Sequence, residues 1–380
     1  MKNWMYLLLV PMLLISACKD DEEEIIEKNP EVGEEYRAIP AFYTGANRDA
    51  PTFTEIAQRS DRVQEPQDLD FHPTRENELW VINKGTENSG SSTLTITGAG
   101  TPEQAEERRI DGNAWHFMAL GSALSFSKTN ENFGTSSNIL DANRQGGTFA
   151  GPSLWSSDMN VYAIDPGSDA NGDRLNGSHL DMLHGSPYSM GIESDEDNAF
   201  WVLDGYNGHI AWYNFAADHG PGYHDHSDGI IYRYDEMEVK KDDSGIPSHI
   251  VEDDVSGILF VCDPANSRIL WMNTLSGSIR ESAPLINEQL ASHQRMKDLE
   301  WGVFAVENLS KPCGIEVSGD ILYVSDNATG EIIAYDKETK EELARINTGA
   351  ESIMGIKADQ NGILWYVDAE ANTVMRIDPK

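Results

Sequence analysis

Short apolar runs alternate with polar turns along this chain, and one run recurs. An apolar residue, usually an aromatic, two further positions and then Asp or Asn occur at 79–83 (LWVIN), 154–158 (LWSSD), 200–204 (FWVLD), 259–263 (LFVCD), 322–326 (LYVSD) and 364–368 (LWYVD). Around most copies the neighbourhood repeats as well. A first β-prone run such as 313–317 (CGIEV) precedes a Gly/Asp/Asn turn, the aromatic run follows, and a third run such as 331–336 (EIIAYD) comes after a short loop. Runs of four to seven residues with period-two alternation, punctuated by turn formers, predict antiparallel strands.

Successive copies lie 42 to 75 residues apart, which accommodates one small four-stranded sheet each, with insertions. Six such sheets arranged radially make an all-β, six-bladed β-propeller. The last copy supplies three strands, ending at 373–378. Its fourth strand is expected from the N-terminal side, at 52–58 or 39–44, and that closure removes an open sheet edge.

The blades at 311–336 (KPCGIEVSGDILYVSDNATGEIIAYD) and 353–378 (IMGIKADQNGILWYVDAEANTVMRID) resemble the NHL-repeat family of six-bladed propellers, and most of 66–380 fits the same pattern. Blade two is aberrant and carries a long insertion. The resemblance implies an architecture and says little about activity, because propellers host enzymes, binders and scaffolds alike. In the amidating-lyase branch of this family, zinc-binding histidines follow the first-strand prolines. Here those positions hold Gln67, Tyr188, Ser248 and Cys313, with His249 one residue off register, so that zinc chemistry does not carry over. Gluconolactonase-type propellers line the channel with acidic and asparagine calcium ligands. Asp68 and Asp70 could supply one such carboxylate, but no matching set is evident on the other first strands.

Four of the nine tryptophans, Trp80, Trp155, Trp201 and Trp365, share the register of the second strand. Equivalent positions in consecutive blades are expected to fill the space between sheets rather than to form a sugar-stacking stripe. The recurring terminal Asp is expected to organise the turn that follows. Two insertions interrupt the repeat. Residues 101–150 are expected to add one or two strands and to roof the channel with His116 turned toward it. Residues 283–298 have helix-forming composition, with apolar positions at Leu285, Ile286 and Leu290, and are expected to hang a helix on the bottom face.

Residues 1–17 read as a secretory signal, too short and wrongly flanked for a membrane span. Ile15-Ser16-Ala17-Cys18 resembles a bacterial lipobox, which implies lipid attachment at Cys18, and the acidic run after it resembles the outer-membrane surface signal of Bacteroidota lipoproteins. Residues 18–37, with nine acids, read as a solvated tether, and 38–380 as one propeller domain. The formal net charge of −36 excludes nucleic acid as a partner. The expected partners are the membrane, through the lipid, and a glycan or protein at the cell surface.

Two histidine-rich stretches carry the candidate chemistry. His179, Asp181 and His184 fall on the crossover from blade two to blade three, which belongs to the top face, and join Asp68 and His116 as candidate ligand or metal contacts. Nearby, Asp169, Asn171 and Asp173 match only the first half of a calcium loop, since Arg174 stands where glycine is required. The second stretch, 218–229 (DHGPGYHDHSDG), connects the third and fourth strands of blade three. That position places it on the bottom rim, away from His179 and His184. Asp218, His219, His224, Asp225, His226 and Asp228 are its candidate ligands for a divalent cation, calcium or zinc. The leading expectation is a non-catalytic binding or scaffold module, and the alternative is a metal-dependent hydrolase or lyase using these loops. Cys262 and Cys313 could pair in an oxidising compartment.

Overall fold

The computed structural model describes residues 38–45, 48–223 and 225–380. The signal, Cys18 and the tether therefore lie outside the described residues, as does His224. Six sheets form a β-propeller ring. Blade one comprises Pro66–Phe71, Leu79–Thr86, Gly90–Thr97 and Ala105–Arg109, in that order from the channel outward. Blades three to six begin with Ser189–Ser194, Ile250–Asp253, Pro312–Ser318 and Ile353–Ala358, and each pairs with the motif-bearing strand that follows it.

Closure comes from the expected N-terminal side. Thr52–Ala57 pairs antiparallel with Thr373–Asp378, with Thr54 opposite Arg376, so the last sheet gains its outer strand. Ile39–Thr44, the other candidate, is a turn whose Ile39 and Phe42 pack between blades five and six.

Alternation along the second strands explains the ring. Leu79 and Val81 face the cluster shared with blade six, whereas Trp80 and Ile82 face the cluster shared with blade two. Every blade–blade boundary has its own apolar cluster, built from opposite faces of neighbouring sheets. Trp80, Trp155, Trp201 and Trp365 are all at most 3 % exposed, which makes them packing residues. Each such burial contributes roughly 1.5–3 kcal/mol or more.

Blade two departs from the reading in one respect. Trp155 lies on its third strand, Ser153–Ser156, while Gly121–Phe126 and Asn132–Ser137 form the first and second. The residue in the usual aromatic register is Gly134. A Cβ there would lie 2.6 Å from Ile192 Cδ1 and 2.9 Å from Phe200 Cε1, so blade three fills the space that a tryptophan takes elsewhere. Residues 101–150 thus build blade one's outer strand and half of blade two rather than a roof over the channel. His116 sits beside Phe117, with Nδ1 3.1 Å from the Ala142 carbonyl, and not at the channel.

The expected helix at 283–298 is also absent. Ser278–Ser282 and Ser292–Lys297 form a hairpin, and the latter adds parallel to Ile230–Glu238, the outer strand of blade three. That open edge offers unpaired backbone groups, and satisfying them outweighs the helical preference of an isolated segment. Cys262 and Cys313 are buried free thiols rather than a disulfide. Cys313 Sγ contacts the Ile353 carbonyl at 3.3 Å, and burial pushes its thiol up to about 12.

Candidate functional site

The blade-three hairpin decides what happens at the rim between blades two and three. It carries residues 283–291 across the outer edge, where Ile286 and Leu290 pack on the blade two–three cluster. The 218–229 loop is stitched to both neighbours: Gly222 N donates to the His179 carbonyl at 2.8 Å, and Ala291 N donates to the Gly229 carbonyl at 2.9 Å. The loop therefore folds back along blade two's outer strand, His179–Met182, instead of staying apart from it.

This juxtaposition brings together residues that the sequence separated. His184 Nδ1 lies 2.7 Å from Glu288 Oε1, and His226 Nδ1 bonds the same oxygen. The backbone N of His184 donates to Glu288 Oε2 at 3.0 Å. Burial alone would raise the Glu288 carboxyl, but the two imidazole contacts outweigh it and hold the group at about 2. Burial opposes charge on both rings. It wins at His184, whose pKa is lowered, whereas Glu288 wins at His226 and raises it. On the far side of the His226 ring, Nε2 faces Asp181 Oδ1 at 3.7 Å. Asp181 is fully buried, and desolvation pushes its carboxyl up to about 7. Asp181, His219 and Asp228 form a second group whose donor atoms all lie within 4.8 Å of one another.

The other loop candidates have local roles. Asp218 accepts from Gly220 N, and Asp225 accepts from Ser227 N. His179 stacks on Phe117 at 3.6 Å, with Nδ1 at the Asn176 carbonyl. Asp169 caps its own turn by accepting from Asn171 N and Asp173 N.

Above this constellation a groove of about 780 Å³ opens, with Phe149, His184, Tyr206, Asn207, Ile286 and His293 in its lining. Because Tyr206 and Asn207 belong to a strand two-to-three turn, residues 284–287 reach the top outer rim, not the bottom face. Arg233 forms the floor. It donates to Asp204 Oδ2 at 2.9 Å, to the Gly185 carbonyl at 2.6 Å and to His293 Nε2 at 2.8 Å. With Nε2 accepting and burial and Arg233 both disfavouring charge, His293 is lowered to about 4 and stays neutral. His209 is lowered as well, chiefly by burial. The groove wall thus combines neutral imidazoles and amides with the charged side chains of Asp141, Arg233 and Arg295. Tyr206, 55 % exposed, offers an open aromatic face at its edge.

The channel holds a second polar set. Asp70, Glu193, Glu316 and Lys357 stand opposite Trp80, Trp201, Tyr323 and Trp365, one register position repeated on four first strands. Glu193 and Glu316 put carboxylates on two other first strands, where no matching set was expected. Lys357 Nζ lies 3.5 Å from Asp70 Oδ1 and 3.4 Å from Glu316 Oε2. Burial disfavours its charge, but the surrounding carboxylates hold it firmly protonated. One ammonium does not serve every acid, and burial pushes Glu193 and Glu316 up to about 7. Asp68 accepts from Leu124 N at 3.2 Å and faces His249 Nδ1 at 3.7 Å, which makes it a cross-blade tie. The signal for this set was present in the sequence: the residue after Gly-Ile in 191–193, 314–316 and 355–357 is Glu, Glu and Lys. Glycine is needed there because the first strands converge; a Cβ at Gly355 would lie 2.2 Å from Asp68 Oδ1.

No protein-family model matches the chain, and no curated protein matches it. Solved structures do. A structural genomics protein of unknown function from Bacteroides thetaiotaomicron VPI-5482 aligns with TM-score 0.53 at 10 % identity, covering 87 % of this chain and 76 % of that one. A luciferin-regenerating enzyme aligns with TM-score 0.53 at 9 % identity, covering 87 % and 95 %. A chain of a nidogen/laminin complex aligns at 14 % identity with TM-score 0.48, covering 78 % and 85 %. At these identities the likeness establishes the propeller fold alone.

Proposed function

We propose that this protein is an NHL-like propeller lipoprotein, anchored at the outer-membrane surface through Cys18, whose rim groove binds a neutral polyhydroxylated ligand such as a glycan. The groove carries this reading. It is built largely by segments that depart from the repeat, and it pairs an exposed tyrosine face with amides and neutral imidazoles. A hydrogen-bonding wall of amides and neutral imidazoles with one open aromatic platform suits a sugar ring. Support for the anchor comes from Ile15-Ser16-Ala17-Cys18 and the acidic run after it.

Lipidated protein in detergent micelles, applied to an immobilised oligosaccharide array, should retain a saccharide with at least tenfold loss in Tyr206→Ala. Absence of retention, or retention indifferent to that substitution, would overturn the groove as a glycan seat. The anchor is tested separately. Cys18→Ser should abolish incorporation of labelled fatty acid and release the protein from the membrane fraction, and a variant that stays lipidated would refute it.

A further inference from the structure

We propose that Asp181, His219 and Asp228, with Nε2 of His226, form a site for one divalent transition cation of zinc type, which ties the 218–229 loop to blade two.

The argument starts from an unsatisfied group. Asp181 is 0 % exposed; its Oδ1 accepts from Met182 N at 2.7 Å, but Oδ2 has no hydrogen-bond partner among the described residues. A buried carboxylate oxygen left unpaired is costly unless a proton or a cation completes it. Three donor groups from two different elements converge here, with donor atoms within 4.8 Å of one another. His219 and Asp228 come from the loop, and Asp181 comes from blade two's outer strand.

The fourth donor is oriented from behind. Glu288 accepts a hydrogen bond from His226 Nδ1–H, and this leaves Nε2 directed to Asp181 and without a hydrogen-bond partner among the described residues. A carboxylate behind an imidazole is the arrangement that fixes the tautomer of a metal-ligating histidine and raises its basicity. Glu288 therefore acts as a positioning residue, and it belongs to the inserted hairpin, which has no counterpart in the regular blades.

The donor chemistry selects the class of ion. Two imidazole nitrogens and two carboxylates suit tetrahedral zinc or a close analogue, whereas calcium requires six to eight oxygens. His219 and Asp228 are partly exposed, so the loop can draw in to bond lengths of about 2 Å. Binding would displace whatever protons reside on His226 Nε2 and Asp181.

The test uses the mature lipoprotein in detergent micelles, stripped with chelator and titrated with Zn²⁺ against a chromophoric competitor. One equivalent should bind, and Co²⁺ in its place should give the visible absorption of a tetrahedral site. Asp181→Asn and, at a partly exposed loop position, His219→Ala should each weaken zinc at least 100-fold. Glu288→Gln should weaken it 10- to 100-fold. The inference is overturned by failure to bind stoichiometric zinc, by binding indifferent to His219→Ala, or by a preference for Ca²⁺ over Zn²⁺. Saccharide retention by the groove is read in the separate array experiment, so the two proposals fail independently.

Discussion

The channel and the rim both bury carboxylates, yet they compensate them differently. In the channel, Lys357 reaches several acids contributed by equivalent strands, and neutralisation comes from within the repeat. At the rim, Asp181 has no such ammonium among the described residues. Its neighbours are imidazoles supplied by a loop and oriented by an inserted hairpin. The contrast separates charge that holds a ring together from polar groups arranged around an opening. A repeat reproduces the same register on every blade, so it builds symmetric internal pairing. Only segments outside the repeat bring dissimilar donors to one point.

Two substitutions sharpen this comparison. The larger effect is expected from Lys357→Met, which removes the shared cation and leaves buried carboxylates uncompensated, at a cost of roughly 3–5 kcal/mol near pH 8. Glu193 and Glu316 have folded values of about 7, above the ordinary carboxyl value of 4.5, so they take up protons as pH falls below 7 and no longer need the ammonium. The penalty should therefore shrink toward pH 5.5, as read by urea unfolding at both pH values. Equal penalties would show that Lys357 is not their counter-charge.

A smaller effect is expected at the rim from Glu288→Gln. The folded carboxyl is held at about 2 against an ordinary value of 4.5, so its stabilisation is fully present above pH 4.5 and is lost as pH falls toward 2. At about 1.4 kcal/mol per pKa unit, offset by the suppressed protonation of His184, the cost at pH 7 should be about 2 kcal/mol. The difference between variant and parent should narrow at pH 3. A difference that widens there would show that Glu288 is not ionised against the two imidazoles.

The reading of the fold from sequence succeeded where the repeat was regular. The aromatic motif located second strands in five blades, and the terminal Asp was rightly read as turn chemistry: Asp326 accepts from Ser310 N, Lys311 N and Ala328 N, and Asp368 does the same at the next turn. It failed at blade two because Trp155 imitates the motif one strand late, and the true position carries Gly134. It failed at 283–298 because helix propensity is a local quantity, whereas the edge strand that captured Ser292–Lys297 lies more than fifty residues away. The rim histidines were noticed, but their separation onto opposite faces was inferred from strand connectivity alone. Connectivity fixes where a loop leaves the sheet and does not fix how far it folds back.

Alternating hydrophobicity, a recurrent aromatic and turn residues at constant offsets are local properties. They determined by themselves that this protein is a ring of six small sheets closed by its N-terminal strand. The meeting of Asp181, His184, His219, His226 and Glu288, two clusters linked through the contact of His226 with Asp181, was decided only in the tertiary structure. Those residues come from three segments up to about a hundred positions apart. What joins them is the backbone hydrogen bonding of two insertions against neighbouring sheet edges, and no periodic pattern encodes it.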